Sequence, residues 1–99
     1  MWLNSCRIDD IIYVQSIDKY VTLFLSRDQQ SEAIRFKMSD MERQLHPYGF
    51  IRIHKSYLVN YRYIKNIQTN CVVLDNKKKL PVSRYRLDDI KVEFRRLTL

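Results

Sequence analysis

From Ile8 onward the alternation of apolar and polar positions predicts strands. Ile11-Ile12-Tyr13-Val14 gives way to a polar interruption, Ser16-Ile17-Asp18-Lys19, and then to Tyr20 through Leu25, a run of β-branched and aromatic side chains suited to a pleated surface. Two paired strands joined by a loop follow from this. Arg27-Asp28-Gln29-Gln30 reads as a polar turn, and Glu32 to Phe36 as a third strand returning antiparallel to the second. Ser39 and Glu42 then stand at capping-box spacing, predicting a helix start, with Met38, Met41 and Leu45 on one helical face and Pro47 and Gly49 ending it. In Phe50 to His54, Ile51 and Ile53 point one way and Phe50, Arg52 and His54 the other, which predicts one buried and one charged face. Ser56 to Asn60 fits either a short strand or a tight helical turn. Ile64 to Gln68, Cys71 to Leu74 and Lys79 to Val82 read as further strands. Asp75 to Lys78 forms a hairpin turn in which Asn76 is expected to take the positive φ. Beyond Ser83, Leu87, Ile90, Phe94 and Leu97 recur at helical spacing, and Asp88–Lys91 and Glu93–Arg96 stand as i,i+3 pairs; a C-terminal helix starting near Tyr85 is expected.

Length changes this picture only by closing it: 99 residues suffice for one core and not for two domains. With no repeat and no Gly/Ser/Pro-rich linker, residues 1–99 are expected to form a single domain with its core from about 8 to 97. The fold class is therefore mainly β, an antiparallel sheet fold with a short helix after the third strand and a C-terminal helix. No apolar run approaches the length of a membrane span, and the first residues lack the features of a secretion signal. A cytoplasmic protein with no membrane contact is expected, and Cys6 and Cys71 are expected to be a reduced pair.

Catalytic chemistry finds little support. The chain holds 1 Gly, whereas phosphate-cradling loops need several. His54 and Cys71 have no local context that marks an activated thiol, so Cys71 is expected to be a buried structural residue. Asp9-Asp10 and Asp88-Asp89 are adjacent carboxylates whose side chains diverge. Cys6, Cys71, His46 and His54 lack the paired spacing of zinc ligands. No enzyme activity, cofactor or metal is expected.

Charge points toward binding. Eighteen Lys and Arg against eleven Asp and Glu leave a formal charge of +7, a field that attracts nucleic acid, an anionic membrane surface or an acidic protein. The basic residues gather near strand ends and loops: Arg52, His54 and Lys55, then Arg62 and Lys65, Lys77 to Lys79, and Arg84 and Arg86. Ser56, Tyr57, Asn60, Tyr61, Ser83 and Tyr85 lie among them as neutral hydrogen-bonding groups suited to phosphate oxygens. Tyrosines in such a surface also suit RNA or single-strand binding.

Four stretches in order carry a resemblance to the LytTR family of bacterial DNA-binding domains: IDDIIYVQSIDKYVTLFL, the helix MSDMERQL, the block FIRIHKSYLVNYRYIKNI and LPVSR. The central block matches the family pattern F-x-R-x-H-[RK]-S-x-x-V-N at each defined position. Gln15, where an acidic residue is common, and Asn76, where Gly is common, depart from it. The resemblance implies an elongated antiparallel β fold that reads double-stranded DNA, at promoter sites with repeated motifs, through loops entering successive major grooves. It also implies a receiver or sensor domain absent from this chain, as in a two-component response regulator. Carried across by motif, the base-reading candidates are the first inter-strand loop around Asp18, Lys19 and Tyr20, the pair His54 and Lys55, and Arg84, the last suited to a bidentate pair with guanine. Arg52, Ser56, Tyr57, Asn60, Arg62 and Arg86 are the candidates for the phosphate backbone, with backbone capping an equal alternative for Asn60.

Overall fold

The computed structural model describes residues 6–99. Strand β1 (Ile11–Ile17) pairs antiparallel with β2 (Tyr20–Leu25) on one side and with β6 (Tyr57–Asn60) on the other, and β6 pairs with β5 (Phe50–His54). The free side of β2 receives two dipeptides, β3 (Gln29–Gln30) against Phe24-Leu25 and β4 (Ile34–Arg35) against Tyr20-Val21. The predicted third strand is thus split and shortened, because Arg27 and Asp28 take positive φ and turn the chain back early. Helix α1 (Met38–Leu45) follows. A second antiparallel sheet, β7 (Ile64–Ile67), β8 (Cys71–Leu74) and β9 (Lys79–Pro81), precedes α2 (Leu87–Thr98). The described residues measure 32 × 25 × 23 Å, so the elongation implied by the resemblance is modest.

The first sheet is covered on both faces. On one, Ile11, Val14, Val21, Leu23, Phe50 and Leu58 meet Met38, Met41 and Leu45 of α1. On the other, Tyr13, Ile51, Ile53 and Val59 meet Ile64, Val72, Leu74 and Leu80 of the second sheet and Ile90 of α2. This corrects the one-sided reading of Phe50 to His54, since Phe50 is fully buried against α1. A register shift between Ile11 and Tyr13 explains why Ile11 and Val14, of opposite parity, share a core.

Three local expectations are also corrected. The residue before α1 is Lys37, with no side-chain cap, so Ser39 and Glu42 form no capping box and the Glu42 carboxylate is taken by Arg52 instead. In the late hairpin Lys77, not Asn76, takes positive φ (72°), while Asn76 Oδ1 accepts the Lys78 amide at 2.9 Å and so tightens the turn from the side. Cys71 is half-buried and its thiol donates to Gln68 Oε1 at 3.4 Å; Cys6 packs beside the other core, and no disulfide joins them. On α2, Arg96 closes the predicted pair with Glu93, which His46 also approaches at 3.4 Å; together they hold the Glu93 carboxyl below its ordinary range.

Candidate nucleic-acid interface

The His54-Lys55-Ser56 turn between β5 and β6 is the centre to which two other loops are fastened. Ile17 pairs with Tyr20, which leaves Asp18 and Lys19 as a two-residue turn, with Asp18 at φ 55°. This turn is held from two sides: the Ser16 amide donates to the Ser56 carbonyl at 2.9 Å, and the Phe36 amide to the Lys19 carbonyl at 3.1 Å. On the opposite flank the Ser83 amide donates to the Ile53 carbonyl at 2.9 Å, and a 3-10 turn at Arg84–Arg86 leads into α2. Residues far apart in sequence are therefore neighbours by backbone hydrogen bonds, which hold the loops without using their side chains.

A groove of about 1240 Å³ lies between the first loop and the central turn, lined by Asp18, Lys19, Lys37, His54, Lys55 and Ser56 among others. A second hollow of about 590 Å³ lies on the other flank of His54 and Lys55, against Ser83, Tyr85 and Arg86. Lys19, Lys55 and Arg84 are exposed, and among the described residues none of them is ion-paired. Their charges are available to a partner.

The central turn is braced from beneath by Arg52. Its side chain is only 13% exposed: Nε donates to the His54 carbonyl at 2.8 Å, one terminal nitrogen to the Lys55 carbonyl at 2.5 Å, and the other to Glu42 Oε1 at 2.8 Å. The guanidinium fork is thus occupied within the protein, and Arg52 sits as a brace between α1 and the turn. Tyr57 accepts from Gln15 Nε2 at 3.1 Å, so its own hydroxyl proton is left to donate elsewhere.

His54 is defined in its hydrogen bonding. The Ser56 amide donates to its Nδ1 at 3.1 Å, which places the proton of the neutral ring on Nε2. Burial, reinforced by Lys55, Arg52 and Arg86, pushes its pKa below the ordinary 6.5. At neutral pH the ring is uncharged and its Nε2–H is a fixed donor. Acid has the opposite effect from added charge alone, because a proton on Nδ1 would meet the Ser56 amide. Affinity for a duplex is therefore expected to fall as the pH is lowered from about 7.5 to about 5, although the protein becomes more positive. His54 also removes stability over this window: below 6.5 the unfolded chain takes up a proton that the folded one resists, until the native ring titrates too. Anisotropy titrations at fixed salt, with His54→Gln as the pH-insensitive comparison, check this; tighter binding at low pH in both proteins would refute it.

Among the remaining candidates, Asn60 is 2% exposed. Its Nδ2 donates to the Ile11 carbonyl at 3.0 Å and its Oδ1 accepts the Arg62 amide at 3.1 Å, so the capping alternative holds and Asn60 leaves the set of surface contacts. Arg62 follows it, beyond the opposite end of β6 from the central turn, with its guanidinium 5.6 Å from the Tyr61 ring centre. Tyr20 is exposed but pairs with Arg35 at the start of β2 and does not line the groove. Sequence reasoning passed over Lys37, Arg35 and Ile17, which do line it. Arg35 and Lys37 flank Phe36, whose amide bond to the Lys19 carbonyl has no signature in the sequence pattern, whereas Ile17 is placed by its pairing with Tyr20 at the end of β1. Tyr85, named only among the neutral groups, is 94% exposed.

Among the described residues no group of three or more His, Cys, Asp and Glu is arranged to hold a metal, and no helix is long and apolar enough to cross a membrane. Against protein-family models, the LytTr DNA-binding domain matches residues 3–94. The chain belongs to the LytTR family. Its relatives include the sensory transduction protein LytT of Bacillus subtilis strain 168, 32% identical over 87 residues that cover 83% of this chain and 35% of the relative. The transcriptional regulatory protein LytR of Staphylococcus aureus strain N315 is 42% identical over 55 residues, covering 50% of this chain and 22% of LytR. The chain thus corresponds to about a third or less of these relatives' lengths. Among solved structures, a LytTr DNA-binding domain of a methyl-accepting/DNA response regulator from Bacillus cereus superposes with a TM-score of 0.78 at 22% identity, covering 89% of this chain and 84% of that one. The LytTR fold is shared at that level of identity.

Proposed function

We propose that this LytTR domain binds double-stranded DNA sequence-specifically, as the output module of a bacterial two-component response regulator acting in the cytoplasm, with its receiver or sensor domain outside this chain. The observation that carries the reading is the backbone fastening of two loops to the His54-Lys55-Ser56 turn, which places Lys19, Lys55 and the Arg84 turn around one centre. Loops held in this way lose little further freedom on meeting a duplex. Lys19, His54, Lys55 and Arg84 are assigned to base edges, with Tyr20 at the margin of that set. Ser56, Tyr57, Arg86 and, farther away, Arg62 are assigned to phosphates. Arg52 acts through the turn it braces.

Selection of duplexes from a random pool tests this directly. A recurring motif is expected, with binding to it weakened steeply by salt. Arg62→Ala is expected to weaken the selected and random duplexes alike and to make the salt slope shallower by about one. Recovery of no motif, or displacement of the duplex by single strands or RNA at equal concentration, would overturn the reading; in the latter case exposed Tyr85 would serve as a stacking platform instead.

A further inference from the structure

Ile17 closes β1 at the rim of the groove with 65% of its surface exposed. Isolated exposed aliphatic residues are ordinary on protein surfaces, and exposure alone means nothing. Three features set this one apart. It stands on the fastened edge of the first loop, next to Ser16, whose amide is bound to the Ser56 carbonyl, and before Asp18 at φ 55°. It lines the same groove as Lys19 and Lys55, so any polyanion drawn to these two cations meets its side chain. Among the exposed large hydrophobic residues of the described part of the chain, Tyr20, Tyr48 and Tyr85 carry a hydroxyl that can bond to phosphate, and Val92 and Leu99 of the C-terminal segment do not line the groove; Ile17 is the aliphatic one of this set that does.

An isoleucine has no atom that bonds to phosphate or to a base nitrogen or oxygen. In the major groove its partner is the one apolar group on the base edges, the 5-methyl of thymine. A β-branched side chain is stiff at χ1 and loses little rotamer freedom on being covered. We propose that Ile17 is a further specificity-determining residue of this domain, packing against a thymine 5-methyl group beside the contacts of the His54-Lys55 turn. This rests on the reading of the domain as a duplex-DNA binder.

The test uses the 99-residue chain and its selected duplex, with each thymine in turn replaced by deoxyuracil, which removes the methyl group and nothing else. One position is expected to lose about fourfold in affinity for the unaltered protein, the equivalent of one buried methylene, and to lose nothing for Ile17→Ala. Ile17→Val is expected to keep most of that methyl dependence, and thermal unfolding of both variants is expected to match the parent. Binding that proceeds with the same deoxyuracil profile in the parent and in Ile17→Ala overturns the inference and leaves the DNA reading standing. Failure of the parent chain to select any duplex overturns both.

Discussion

Arg52→Ala is expected to lower the unfolding free energy by about 2–4 kcal/mol and to reduce affinity for every duplex, through the acceptors within the protein that its guanidinium serves. The cost arises at three places. The His54 and Lys55 carbonyls lose their donor, and the tie from the turn to α1 through Glu42 is cut. Glu42 is more than a third exposed, so water recovers part of its solvation, and most of the loss belongs to the two carbonyls and the turn they shape. Arg52→Lys is expected to recover little, because an ammonium cannot present a planar fork to three acceptors. Glu42→Ala separates this role from direct phosphate binding. It removes a negative charge beside the groove, so a phosphate-binding Arg52 would bind DNA more tightly; a bracing Arg52 loses its anchor, and affinity drops about threefold. Thermal melts and duplex titrations on the three variants read this out. An unchanged melt together with tighter binding for Glu42→Ala would end the bracing account.

Arg52 also shows where sequence legibility stops. The alternation from Phe50 to His54 is a local signal, and Ile51 and Ile53 do enter one core as it implies. What occupies the other face is decided at a distance: α1 buries Phe50, and Glu42, ten residues away, takes the Arg52 guanidinium. A charged residue in a basic stretch therefore reads as a surface contact when its partners lie on another element. Asn60 has the same history, its donor satisfied by the Ile11 carbonyl 49 residues earlier. The helices α1 and α2 and the hairpin of β1 with β2 were legible because their apolar spacing is periodic over enough residues to distinguish helix from strand. The two-residue strands β3 and β4 were not, since position against β2 defines them and no periodicity exists within a dipeptide. In the candidate site, the His54-Lys55 turn and Arg84 came from motif; the structure joins the residues before them, Ser83 and Ile53, by a backbone hydrogen bond, while Arg84 itself lines neither hollow. Lys37 joined the groove through the folding of the segment before α1, and Ile17 as the last residue of β1.

Arg84→Ala is expected to abolish discrimination at one base position, a loss of about 1–3 kcal/mol or roughly 5–150-fold between the preferred base and the others, while leaving preferences elsewhere intact. The expectation depends on rigid presentation. The residue before it is hung from the Ile53 carbonyl by the Ser83 amide, the residue pair after it closes a 3-10 turn through Arg86 N to Ser83 O at 3.0 Å, and α2 is anchored below by buried Ile90. An exposed guanidinium on so short a tether can hold a bidentate approach to guanine O6 and N7; a lysine there is expected to retain part of the affinity and less of the selectivity. Arg86, which lines the hollow beside His54, supplies the contrast: Arg86→Ala is expected to weaken all duplexes together and to make the salt slope shallower. Affinities of both variants for the selected duplex, its single-base substitutions and a random duplex separate the two roles. Parallel losses on selected and random duplexes for Arg84→Ala would reassign it to the phosphates, and base reading would then rest on the groove between Lys19 and Lys55.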